Sequence, residues 1–237
     1  MRSATGPPVV IPNFGGASRC VLDNDVFCFG WVRQNWSGTL QPALVQHLEL
    51  TLIAVGVGFA IAFAAALAAH RFRRVEHPMS VLSALLYTIP SLALFQLLVP
   101  ITGISVTTVE IALVSYTLLI LYRNMIEGLR GVPAEMIEVA RGSGFTRLQT
   151  FTRVELPLAL PAILAGLRIA TVSTISIATV ASFVVAKGLG SPIFVALEQD
   201  VFKTEIFTAG GLVVALALVA DGLLVLLQRA LTPWTRA

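Results

Sequence analysis

Glu138, Ala140 and Gly144 precede a Leu156-Pro157 pair at set spacing within the run EVARGSGFTRLQTFTRVELP. The chemistry open to such a set is recognition. A carboxylate, a small residue and a glycine free to take a positive backbone angle make a docking surface. Two ionisable residues, Arg168 and Asp221, fall inside otherwise apolar runs, where a charge is costly and has a partner or a role. Either they form a charge pair, or the arginine reaches toward the interface while the aspartate faces a wet cavity. In Tyr87-Thr88-Ile89-Pro90-Ser91 a proline interrupts another apolar run, and Thr88 and Ser91 can bond the carbonyls it frees. That stretch is either a bent packing helix or a wall of a translocation path. No catalytic residue emerges. His47, His70 and His77 are not spaced as metal ligands, so no metal site is expected. Gly142-Ser143-Gly144 lacks the Lys-Ser/Thr of a phosphate-binding loop.

The elements that must position these residues cross a bilayer. Of 237 residues, 56% are hydrophobic and 12% charged, and the mean hydropathy is +0.85. A soluble domain carries about twice that charged fraction. The basic balance does not indicate nucleic acid, because the arginines are scattered over short loops and not interleaved with aromatics on one face. Residues 1–40 hold no apolar core of signal-peptide length. Cys20 and Cys28 precede the first span and are either two thiols or a disulfide on an oxidising face.

A crossing helix needs about 20 largely apolar residues. Five segments qualify, at residues 43–69, 79–101, 106–122, 158–185 and 206–227. Arginine clusters follow the first span (Arg71, Arg73, Arg74) and the third (Arg123, Arg130, Arg141, Arg147, Arg153), and the tail carries Arg229 and Arg236. The other loops hold only Lys187 and Lys203, so those three regions are expected to be cytoplasmic and the N-terminus outside. Arg2, Arg19 and Arg33 in the N-terminal segment run against this assignment without reversing it. The resulting division is an extracytoplasmic tail at 1–42, a membrane domain at 43–228 and a cytoplasmic tail at 229–237.

Residues 133–157 should form a cytoplasmic elbow. Pro133 suits a first turn, Glu135 suits a helix N-terminus, and a short helix is expected over 134–141. Gly142-Ser143-Gly144 breaks it, and Thr146 caps a second helix that stops near Glu155, before Pro157. Ile137, Ala140, Phe145, Leu148 and Phe151 would make its apolar side. Arg168 lies about 16 Å along a helix from Pro157, and Asp221 about 12 Å from Arg229, so the two can share a depth.

The spacing of Glu138, Ala140, Gly144, Val154 and Leu156-Pro157 resembles the EAA loop of ABC importer permeases, with Val139 and Val154 as mild departures. The segments TIPSLALFQLLVPITGI (88–104), RNMIEGLRGVP (123–133), VELPLALPAILAGLRIATV (154–172) and KGLGSPIF (187–194) resemble the osmoprotectant branch of that family. Lys187 departs from the small residue expected in the last of them. The resemblance implies an all-α membrane protein with five transmembrane helices and type I importer permease architecture. It implies import of glycine betaine, choline or carnitine, with another small solute such as an amino acid as the alternative, and a secondary carrier as a remoter one. A carrier of that kind would show an inverted repeat, and none appears. The elbow would dock cytoplasmic ATPase subunits that hold ATP and Mg, no cofactor residing on this chain. A second permease subunit and an extracytoplasmic solute-binding protein complete the expected partners.

Overall fold

The computed structural model describes residues 19–199 and 201–236. All regular structure among them is helical: α1 (Arg19–Leu22), α2 (Phe29–Asn35), α3 (Gln41–Arg71), α4 (Arg73–Thr88), α5 (Ser91–Thr102), α6 (Val106–Arg130), α7 (Ala134–Gly142), α8 (Arg147–Thr150), α9 (Leu156–Ala181), α10 (Gly190–Glu198) and α11 (Lys203–Leu231). Two π-turns, Trp36–Leu40 and Phe151–Glu155, join α2 to α3 and α8 to α9 without a break.

The centre is α3 against α6 and α9. Small residues on α3 recur at helical spacing, Gly58, Ala62 and Ala66, and let the backbones approach closely. Ala62, Ala66 and Ala69 pack on Leu121, Tyr122, Met125, Ile126 and Leu129 of α6, and on Ala159, Ile163 and Ala170 of α9. A Cβ on Gly58 would meet Thr117 Cβ at 3.0 Å, and one on Gly128 would meet the Ala159 carbonyl at 3.0 Å. A second buried cluster joins Leu50 and Ala54 of α3 to Leu94 and Phe95 of α5, Val109, Ala112 and Leu113 of α6, and Ala178 and Ala181 of α9. α11 lies outside this core. Val214, Leu218, Val219, Leu223 and Leu226 on it are exposed, an apolar surface that fits lipid.

Two expectations change, and the segment before residue 43 gains detail. The run 79–101 is not one straight helix: α4 and α5 meet at 99° across Ile89 and Pro90. A residue before proline is pushed out of the helical region, and Ile89 is extended at φ −70°, ψ 125°. Among the described residues four helices are long and apolar enough to cross a membrane, and the bent pair makes a fifth if it is one span. Pro157 does not end the elbow's second helix. The π-turn carries that helix into α9, so residues Arg147–Ala181 form one continuous 35-residue helix. Finally, the segment before residue 43 is folded from Arg19 onward. Cys20 and Cys28 form a disulfide with Cα atoms 5.9 Å apart. Asn24 accepts from the Lys203 N–H at 2.9 Å and donates to the Val201 carbonyl at 3.1 Å, while Trp31 packs edge-on against Phe202. These contacts clamp the segment to the start of α11. Arg2 lies outside the described residues.

Candidate functional site

The elbow is built from two caps back to back. Pro133 precedes the first residue of α7, and Glu135 lies in its first turn, where a carboxylate favours the helix N-terminus. At the other end the Phe145 N–H donates to the Ala140 carbonyl at 3.1 Å, and the Gly144 N–H to the Arg141 carbonyl at 3.0 Å. This nested pair is a Schellman cap, and Gly144 takes its left-handed position with φ +82°. Nothing lies within 4 Å of where a Gly144 Cβ would stand. The backbone angle, and not crowding within this chain, therefore calls for glycine. Two residues on, Thr146 Oγ1 accepts from the Gln149 N–H at 3.3 Å, while the Thr146 N–H donates to Gln149 Oε1 at 2.8 Å, a reciprocal capping box.

Ala140 is buried, Ile137, Phe145 and Phe151 are half-buried, and Leu156 and Pro157 are half-buried where the π-turn enters α9. Leu148 departs from the expected apolar side: it is 72% exposed. Met136, Glu138 and Val139 on α7 are exposed as well, so both short helices of the elbow present apolar residues to the surroundings. At the base of the elbow, His70 at the end of α3 places Nε2 2.7 Å from Glu155 Oε2 in the π-turn. A cavity of about 490 Å³ opens there, lined by His70, Arg71, Arg141, Arg147 and Glu155.

Within the membrane, Arg168 of α9 and Asp221 of α11 meet in a two-pronged ion pair, Nε to Oδ1 at 2.9 Å and Nη2 to Oδ2 at 3.1 Å. Gln228 extends the network, with Oε1 3.5 Å from Arg168 Nη1 and Nε2 3.4 Å from the Pro161 carbonyl. Both charged side chains are about one-third exposed, along a cavity of about 480 Å³ that also includes Ser173. At the α4–α5 break, Thr88 Oγ1 donates to the Leu85 carbonyl at 2.7 Å, and the Tyr116 hydroxyl donates to the Ile89 carbonyl. Tyr87 packs edge-on against Tyr116 with ring centres 5.9 Å apart. Tyr87, Thr88 and Pro90 are exposed and Ser91 half-buried, so the four lie together at one bent corner. That corner and the Arg168–Asp221 pair are separate places.

Two further carboxylates lie on the spanning helices. Among the described residues both oxygens of Glu110 on α6 are buried without a hydrogen-bond partner, and Glu205 in the first turn of α11 is buried. The signal available was an acidic residue within an apolar segment, the same signal that marked Asp221.

Residues 54–234 match the family described as "Binding-protein-dependent transport system inner membrane component". The chain is 34% identical over 201 residues to the choline transport system permease protein OpuBB of Bacillus subtilis (strain 168), covering 84% of this chain and 92% of that one. It is 33% identical, over the same shares, to the glycine betaine/carnitine/choline transport system permease protein OpuCB of the same organism. Among solved structures, an inward-facing form of the MetNI methionine ABC transporter superposes with TM-score 0.71 at 21% identity, over 84% of this chain and 98% of that one, which establishes a shared fold. This chain is thus a multi-pass membrane protein of the binding-protein-dependent transport system inner membrane component family, the permease subunits of ABC importers.

Proposed function

We propose that this permease serves an ATP-driven importer of quaternary ammonium osmoprotectants: glycine betaine, choline and carnitine. The solute class is supported by the names of the relatives matched over most of both chains. The coupling role rests on one observation: a doubly capped elbow with exposed apolar residues, whose second helix runs on into a spanning helix. Two ATPase subunits dock on the elbows of two permeases, identical or paralogous, and a solute-binding protein delivers solute on the opposite side. Glu138, Ala140 and Gly144 shape the contact, and Leu156-Pro157 join it to α9. ATP and its magnesium belong to the ATPase, because Gly142-Ser143-Gly144 in this chain forms a helix C-cap and offers no lysine to a phosphate. Arginines clustered after α3 and around the elbow support a cytoplasmic elbow and an N-terminus outside. Tyr87, Thr88, Pro90 and Ser91 at the bent corner are assigned to the translocation path, and the Arg168–Asp221 pair to the joint between α9 and α11.

Cells carrying the full system should accumulate labelled glycine betaine, choline or carnitine under osmotic stress. Normal uptake of all three in a deletion strain without a redundant importer refutes the solute assignment.

A further inference from the structure

Glu205 occupies the first turn of α11 and is 6% exposed. Among the described residues its carboxyl makes no hydrogen bond and no ion pair. It lines an open cavity of about 230 Å³ where the Trp36–Leu40 π-turn, the start of α3, α10 and α11 converge. Thr39, Gln46 and Ser191 add neutral polar groups, and Pro42 and Val195 add apolar wall. Among the described residues no lysine or arginine lines it; Lys187 lines a separate crevice with Leu50 and Val185.

The walls are preformed. Gln46 Oε1 accepts from the Gly188 N–H at 3.2 Å. Buried His47 accepts from the Leu189 N–H through Nδ1 at 3.2 Å, so its Nε2–H donates to the Ile175 carbonyl at 3.0 Å. Gly188 has φ +76°, and a Cβ there would stand 3.0 Å from His47 Nδ1. The Asn24 side chain and the Thr204 hydroxyl, which donates to the Asp25 carbonyl at 2.7 Å, hold the first turn of α11 on the other side.

A carboxylate near a helix N-terminus gains from the positive end of the helix. That explains its tolerance but supplies no counter-ion, and a buried unpaired charge is strongly disfavoured. A hard metal ion is a poor match, because calcium takes about 6–8 oxygen ligands and this cavity offers one carboxylate beside neutral groups and hydrocarbon. A bulky organic cation fits better: its charge meets the carboxylate and its methyl groups meet Pro42 and Val195. We infer that the Glu205 cavity binds the trimethylammonium group of a quaternary ammonium solute on the side of the membrane that carries the N-terminal segment. The choice of this cation rests on the proposed solute class.

The chain's two cysteines are joined to each other, so a Ser191→Cys change introduces the only free thiol. In the assembled transporter, tetramethylammonium should slow maleimide labelling of that thiol when Glu205 is present and lose this effect with Glu205→Gln. In cells with the full system, Glu205→Gln should raise the half-saturating choline concentration roughly tenfold, the loss of one modest charge contact. Labelling of Ser191→Cys that tetramethylammonium does not slow, or that it slows equally with Glu205→Gln, overturns the inference. If Glu205→Gln does not assemble, protection in the Glu205 protein still decides it. A wild-type system that imports none of the three solutes refutes the solute assignment alone, since the labelling experiment needs no transport.

Discussion

Gly144 separates two explanations of the elbow that its sequence leaves together, and a three-member series distinguishes them. If the residue is needed for its left-handed angle, the side chain's tolerance of that angle governs the outcome, since an added Cβ meets nothing within 4 Å in this chain. Alanine in the left-handed region costs about 1–2 kcal/mol. Asparagine costs less, because its short polar side chain bonds locally there, and a β-branched residue costs more. A penalty of that size shifts the local equilibrium away from the Schellman turn by a factor of about 5–30. Coupled uptake should therefore fall in the order Asn, Ala, Val, with Gly144→Asn nearest to wild type. The assay is solute-stimulated ATP hydrolysis and uptake in proteoliposomes, at matched insertion. Side-chain size predicts a different order, with alanine the mildest change. Gly144→Ala outperforming Gly144→Asn would refute the conformational argument and leave crowding against a partner as the reason for glycine.

Arg168→Gln and Asp221→Asn should each lower folded yield or transport, and the double neutral variant should recover part of the loss; strictly additive losses would rule out coupling through the ion pair. Gly58→Ala drives a methyl into Thr117 across the α3–α6 contact and should cost about 1–3 kcal/mol, read as a melting-temperature drop in detergent of a few degrees. Thr117→Gly in the same protein should return most of it, and an unchanged melting temperature in Gly58→Ala alone would contradict the packing described. Cys28→Ser should free the N-terminal segment, raising its proteolysis near Asn24, while ATPase coupling at the elbow stays as in wild type; loss of coupling would count against two separate regions.

The spans and both elbow caps were legible because each depends on local signals: long apolar runs, Thr146 three residues before Gln149, and a glycine after a short helix. The bend at Ile89 was not. Hydropathy over 79–101 is blind to direction, and the corner is secured by a tertiary contact, the Tyr116 hydroxyl on the Ile89 carbonyl. Pro157 reads as a stop in the sequence because proline removes a donor from a helix interior. The preceding turn is wound wider, with the Leu156 N–H reaching the Phe151 carbonyl, and the helix passes through. Leu148 matched the apolar face by periodicity, yet a four-residue helix ahead of a π-turn does not keep that periodicity. The Glu205 cavity draws its walls from residues 38–46, 188–195 and 205, a convergence no local pattern displays.

Because α8, the π-turn and α9 make one unbroken rod of 35 residues, the elbow and the far membrane surface are two ends of a single lever. At 1.5 Å per residue the rod is about 52 Å long, so a tilt of about 5° pivoted at the elbow sweeps the distal end through roughly 4–5 Å. That is about the diameter of a methyl group, gained with no helix melted and no loop stretched. Under the proposed coupling role such a lever would turn a small rotation at the elbow into a gate-sized displacement at its other end, and its compliance would concentrate in the five residues Phe151–Glu155, where the rod is wound most loosely.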